Sequence, residues 1–255
     1  MSPSFPILEH DYQSEAKIEP GKVIQPKDVP EHCVITFFHE VIDRVVQEKN
    51  AQVIVSNCWE DGPHPLYEIH YQGKRLAFIH PGVGGALSAS LLEEVIAFGC
   101  RKFMVCGGCG VLLPGMILGK LIVVTAALRD EGTSYHYLPP GREIPANTFA
   151  VDALRSVLDE KKLPYLAGKT WTTDAPYRET QATIDARREE GALAVEMEAA
   201  SLMAVAQFRN VHLGQVLYAG DDLSGDTWDH RGWQSRSEIR QSLFWLAAEA
   251  CFRIG

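Results

Sequence analysis

Two glutamates stand one residue apart in the string Val195-Glu196-Met197-Glu198-Ala199-Ala200. Read as the start of an Ala-rich helix over 196–207, they point about 200° apart, at ~100° per residue. Met197, Ala199, Ala200, Leu202 and Met203 argue that much of this turn is covered. One glutamate is then buried, and a buried carboxylate needs donors. Sugar hydroxyls are such donors; the alternative is that both acids simply favour the positive end of a helix. Cys106-Gly-Gly-Cys109 is a second spacing with chemistry in it, the C-x-x-C of redox or metal sites. Val111-Leu-Leu-Pro114-Gly115 follows it, which is no helix start, and no second pair completes a zinc site. Trp228-Asp229-His230-Arg231-Gly232-Trp233 crowds two Trp, a His and an Arg into six positions. It is read as a lid, or as a loop anchored on the surface by its Trp.

These residues need strands and helices to position them. Short apolar runs at Val34–Phe38, Val53–Cys58, Phe103–Cys106, Leu121–Ala127, Lys169–Thr173 and Leu213–Ala219 read as strands, Val53–Cys58 as a buried one. Asp61–Pro65 reads as a turn, and Leu66–Tyr71 with Arg75–His80 as a hairpin. Helical spacing predicts helices over Glu40–Glu48, Ser88–Phe98, Thr148–Lys162, 196–207 and Ser237–Phe252. The alternation predicts a largely parallel sheet covered by helices, an α/β class. Ligands in such proteins collect at the C-terminal ends of strands. Pro81–Gly85, Gly107–Gly110, Thr172–Tyr177 and Gly220–Asp222 fall at such ends. Their glycines either admit a ligand to the backbone or merely make the turn.

Composition excludes several classes. The 255 residues are 46% hydrophobic and 22% charged, ordinary for a globular chain. No apolar run approaches the ~20 residues of a membrane span. The start, MSPSFPILEHDYQSE, has no basic n-region or apolar core, so a secretory leader is not expected and a cytoplasmic protein is. The net charge of −9 and the absence of clustered Lys and Arg argue against DNA or RNA as partner. Six cysteines are too few for a disulfide scaffold and suit reduced thiols. Residues 1–33, with five prolines among charges, read as an N-terminal arm ahead of a domain over 34–255.

The string VEMEAAS, after TTDAPY and before a strand ending AGD, resembles the nucleoside phosphorylase family, the purine nucleoside and uridine phosphorylases and related nucleosidases. HPGVGGALSAS and CGGCGVLLPGMILGKLIVVTAAL resemble the family's glycine-rich loop and strand–turn–strand in order and spacing. The resemblance implies one α/β domain, three-layer α/β/α, whose twisted mixed central sheet often closes into a distorted barrel. It implies a homo-oligomer in nucleotide salvage that cleaves a nucleoside's N-glycosidic bond. It also implies residue roles. Glu198 matches the glutamate that binds the ribose hydroxyls and favours the developing ribosyl cation. Met197 packs on the sugar and Glu196 stands beside it. Asp221 matches the acid at the leaving base, with Asp222 as an alternative; repulsion between the two is a means of raising the acid's pKa. Cys109 and Gly110 line the base, and Thr173, Asp174 and Tyr177 shape its pocket. Pro176 stands where an aromatic residue usually stacks, and a uracil-reading Gln and Arg are not found, which weakens a uridine assignment; Asp221 favours a purine.

Phosphate, the family's co-substrate, is where the chain departs from the pattern. The first phosphate loop aligns with His39–Arg44; Glu40 has entered and Arg44 alone survives. The second phosphate arginine aligns with Val105, and a hydroxyl residue with Gly108. A dianion is expensive to desolvate without such partners. Arg44 and Gly108 are nonetheless the tentative phosphate contacts. His39, Arg129, Arg178, Arg231 and Arg236 are replacement donors, and His10 and His64 lie where relatives contact ribose or a neighbouring subunit. The leading expectation is phosphorolysis. The alternatives are a nucleosidase, with Glu40 or Asp43 activating water, and a non-catalytic nucleoside-binding protein. No metal or organic cofactor is expected; inorganic phosphate is the possible co-substrate.

Overall fold

A computed structural model describes residues 5–11 and 15–255. After a short turn at Pro6–Leu8 come α1 (Pro20–Val23), β1 (His32–Thr36), α2 (His39–Lys49), β2 (Gln52–Trp59), β3 (Gly62–Tyr71) and β4 (Lys74–Ile79). Then follow α3 (Gly85–Phe98), β5 (Lys102–Val111), β6 (Leu121–Asp130), β7 (Glu143–Pro145), α4 (Thr148–Glu160) and β8 (Tyr165–Thr173). The chain closes with α5 (Gln181–Glu189), β9 (Ala192–Glu196), α6 (Ala199–Phe208), β10 (His212–Asp222) and α7 (Ser237–Cys251). Local chemistry sets several of these bounds. Asn147 caps α4 by accepting from the Ala150 N–H, Thr180 caps α5, and Gly99 ends α3 at φ 141°.

The strands form one mixed sheet in the order β10-β6-β8-β9-β5-β1-β4-β3-β2. β10 also pairs with β5, in parallel, so β10, β6, β8, β9 and β5 close on themselves. This is the distorted barrel that the resemblance implies; β1, β4, β3 and β2 extend from it as an open arm. Closure removes the sheet edge where the strands are most buried. Alternation sends successive side chains of β5 and β10 to opposite faces. Phe103, Val105, Leu213 and Leu217 join an apolar layer under α3 and α6. Met104, Cys106, Val216 and Tyr218 join the layer under α2, α4 and α7. The chain is therefore a single α/β domain with helices on both faces of its sheet.

Four local expectations are corrected. Gly107–Gly110 is not a turn: β5 runs straight through it to Val111. Val53–Cys58 is a strand but not a buried one; β2 is the sheet's outer edge, and Val53 is 55% exposed. The turn at 61–65 shrinks to Glu60-Asp61, with Pro63–Pro65 already paired in β3. The expected helix over 196–207 begins at Ala199, because a short strand, β9, claims Ala192–Glu196. Within residues 1–33, the described part packs against α3 and α6: Arg209 pairs with Glu19 at 3.0 Å, and the Lys27 N–H donates to the Phe98 carbonyl. The start of that expected arm, residues 1–4, and residues 12–14 lie outside the described residues.

Candidate active site

A cavity of about 650 Å³ opens between the ends of β1, β5, β9 and β10. Its walls include the backbone of Gly107–Gly110, the Val195–Glu198 segment, Asp221 and the loop carrying Trp228, His230 and Trp233. The two glutamates reach it by different means. Glu196 ends β9 opposite Thr172 of β8, and the Thr172 hydroxyl donates to it at 2.7 Å. The N–H groups of Glu198 and Ala199 donate to its other oxygen at 2.8 and 2.6 Å. Glu196 thus satisfies orphan donors at the start of α6 and opposes the positive helix end. Here the alternative reading of the acids applies, to one of the two.

Glu198 differs. It is the residue just before α6, 6% exposed, and its Oε1 accepts the Gly84 N–H at 2.7 Å. Gly84 delivers that N–H with φ 90° and ψ 149°, a conformation open only to glycine. Burial first, and then the neighbouring Glu196, push the Glu198 carboxyl up to about 8. Burial also raises Glu196, but four donors oppose it, so Glu196 keeps the charge and Glu198 takes the proton. A carboxyl in that state ionises when hydroxyls donate to it.

Asp221 and Asp222 are separated by the pleat. Asp221 lines the cavity, and the Trp228 indole N–H donates to its Oδ2 at 2.7 Å. Asp222 is engaged elsewhere: Arg231 pairs with its Oδ2 and the Ser224 N–H donates to its Oδ1. Of the two aspartates, Asp221 is therefore the one that faces the cavity. The Trp228–Trp233 loop does border the cavity, and Arg231 pins it to the body by donating to the Met116 carbonyl at 2.9 Å.

Among the other expected residues, Met197, Gly108, Cys109, Gly110, Pro176 and Tyr177 line the cavity, Tyr177 fully exposed at the rim. Thr173 does not; it is buried, and its hydroxyl accepts the Ala175 N–H. Asp174 also stands outside, accepting the Gly132 N–H at 2.8 Å. Arg44 points to Gln241 of α7 at 2.5 Å and is absent from the lining. The replacement donors Arg129, Arg178, Arg231 and Arg236, with His39 and His64, are likewise absent from it. Arg129 is spent on Ser134 and the carbonyls of Leu138 and Pro139. Cys106 and Cys109 point to opposite faces of β5 and are buried, and burial pushes the Cys106 thiol up to about 12 and Cys109 also up. That overturns the redox reading, which needs a lowered thiol pKa.

Sequence reasoning missed Glu179, Gln215 and Arg240, which also line the cavity. Arg240 lies over the rings of Phe38 and Trp233 and donates to Glu40 at 2.7 Å and to the Tyr218 hydroxyl at 3.2 Å. Its partners come from three separate segments, so no spacing announces it. Gln215 stands in register with Val105, where the phosphate arginine was expected. Its amide is buried with no hydrogen-bond partner among the described residues. Glu179 lies two residues beyond the flagged segment Thr172–Tyr177, and its acid type was a usable signal.

Comparison with known proteins agrees with this geometry. The family model described as Phosphorylase superfamily matches residues 31–250. A guanosine phosphorylase of Halorubrum lacusprofundi is 26% identical over 233 residues, 88% of this chain and 95% of the relative. A purine nucleoside phosphorylase of Plasmodium falciparum is 32% identical over 156 residues, 59% of this chain and 62% of the relative. Among solved structures, purine nucleoside phosphorylase from Toxoplasma gondii in complex with immucillin-H superposes with TM-score 0.76 at 18% identity, covering 94% and 98% of the two chains. AMP nucleosidase from Bacteroides thetaiotaomicron superposes with TM-score 0.71 at 22% identity, covering 88% and 87%. The cavity with its glutamate-bearing helix start and its aspartate at the end of β10 thus belongs to an enzyme of the phosphorylase superfamily.

Proposed function

We propose that this chain cleaves the N-glycosidic bond of a purine nucleoside, with inorganic phosphate as the acceptor. The observation that carries the reading is Glu198, a buried carboxyl fixed by the Gly84 N–H in a cavity that it shares with Asp221 and the Cys109–Gly110 backbone. Ribose hydroxyls donating to Glu198 draw off its proton, and the resulting charge favours the sugar as it turns cationic. Met197 packs on the ribose. Asp221 and the Gly110 backbone take the base, and the Trp228–Trp233 loop closes over it. The names of the phosphorylase relatives support phosphate as the acceptor.

Water is a second reading, favoured by the electrostatics of the cavity. Glu179, Glu196, Glu198 and Asp221 all line it, while the guanidinium of Arg240 is already paired with Glu40. Val105 and Gly108 stand where anion contacts were expected. A phosphate dianion gains little there, whereas a neutral water pays no such desolvation cost. The reaction calls for no metal or organic cofactor. Base release from a nucleoside panel with and without phosphate separates the readings: release only with phosphate means phosphorolysis, and release without it means hydrolysis.

We further propose a homo-oligomer confined to the cytoplasm. The exposed edge strand β2, with Val53 and Trp59 on its surface, supports association. Among the described residues no helix is long and apolar enough to cross a membrane.

A further inference from the structure

We propose that Glu179 is the general acid that hands its proton to the departing base, while Asp221 holds that base as a carboxylate. The inference rests on the glycosidic cleavage argued above and adds a catalytic residue to it.

Glu179 follows the short turn Pro176–Arg178 between β8 and α5, half-buried, with its side chain on the cavity wall. It has no hydrogen-bond or ion-pair partner among the described residues. Asp221 faces the same space from β10, but its Oδ2 already accepts the Trp228 indole N–H. An indole N–H only donates, so an oxygen of Asp221 is already taken as its acceptor. Two carboxyls facing one cavity do not both ionise readily. The member that holds a donor keeps the charge, and the member without one keeps the proton. Burial first, and then the charge of Asp221, push Glu179 up to about 7.

The remaining groups around the cavity leave this division standing. Glu196, at the end of β9, adds negative charge and favours a protonated Glu179, and Glu198 does so once ribose hydroxyls have ionised it. His230 faces the cavity from the loop before α7, and Arg240 from α7 itself, its guanidinium occupied by Glu40 and Tyr218. On Glu179's own loop, Tyr177 stands at the rim and Arg178 is exposed.

The step balances. The C1′–N9 bond breaks and its electron pair goes to the base. The Glu179 carboxyl proton moves to the base nitrogen, leaving a carboxylate. The acceptor oxygen, of water or hydrogen phosphate, bonds to C1′, and the proton that it sheds returns through solvent to Glu179. Acid catalysis of this kind contributes about 10²- to 10⁴-fold.

The test compares guanosine with 7-methylguanosine, whose base departs without protonation at N7. For the wild-type enzyme, kcat with guanosine falls as pH rises through about 7, where the acid form is lost, and the fall is absent with 7-methylguanosine. Glu179→Gln loses about 10²-fold or more in kcat with guanosine and less than about threefold with 7-methylguanosine, because the second base needs no acid. Both substrates are read on one preparation, so a folding defect cancels in their ratio, and Glu179→Asp restores the pH limb. Equal losses on the two substrates overturn the role of Glu179 and leave the glycosidic reaction intact. A wild-type enzyme that frees base from neither substrate overturns the reaction itself.

Discussion

Glu196 and Glu198 show how two identical side chains, one residue apart, divide structure from chemistry. Glu196 accepts from Thr172, Thr170 and two backbone N–H groups, which ties β8, β9 and α6 into one junction. Glu198 accepts from Gly84 and faces the cavity. Its raised carboxyl gives a prediction with a definite sign. In the folded state Glu198 binds its proton more tightly than in the unfolded chain, so its contribution to stability is full below the ordinary carboxylate pKa. That contribution is lost as pH rises towards about 8. Glu198→Gln, which stays neutral, therefore melts above the wild type at pH 8.5 and close to it at pH 5, by thermal denaturation at both values. The same variant binds nucleoside poorly. In the wild type, nucleoside affinity improves as pH rises from 6 to 8, because the ionised form is the one that accepts two hydroxyls. Isothermal titration across that range, with proton release read from buffers of different ionisation heat, checks it.

At the level of elements, the site depends on how closely backbones approach. The start of α3 must place the Gly84 N–H on Glu198, and it does so at φ 90°. Gly84→Ala forces a Cβ into that conformation at a cost of order 1–3 kcal/mol. The expected result is a nucleoside KM raised about tenfold or more, with kcat less affected; an unchanged KM removes Gly84 from the account. Gly110 is crowded in another way. A Cβ there would meet Leu223 Cδ1 at 2.5 Å and Val195 Cγ1 at 2.9 Å, with Asp221 Oδ2 at 3.7 Å. Gly110→Ala therefore shifts the wall that carries Asp221, and activity falls while the fold survives with a loss of about 1–3 kcal/mol in denaturant unfolding. The sequence showed that these glycines mattered but not why. Glycine normally punctuates a strand, so Gly107–Gly110 was read as a turn. In the structure β10 pairs along it and Tyr218, Phe37 and Leu223 fill the space that side chains would take. Likewise the run Ala192–Glu196 has a single β-branched residue and leads straight into the Ala-rich helix, so its strand signal is weak. It is one because β5 and β8 flank it, which is tertiary information.

Across the whole molecule, alternating strand and helix signals were enough for the class, and VEMEAAS with its flanking segments pointed to Glu198 and Asp221, which line one cavity. Closure of the sheet through β5 and β10 is a long-range pairing, and so is the meeting of three segments at Arg240; neither has a local signature. The anion contacts followed a loop pattern that this chain has changed, so Arg44 was placed by alignment and lies instead against α7. If the exposed β2 edge mates with another copy, sedimentation finds a species above 28.3 kDa at micromolar protein, and charging the edge with Val53→Lys dissociates it. The reaction itself is tested most directly by incubating wild type and Glu198→Gln with guanosine, with and without phosphate, and counting free guanine by chromatography. The account predicts release by the wild type and a loss of about 10²-fold or more in the variant. Equal release by both proteins would contradict it.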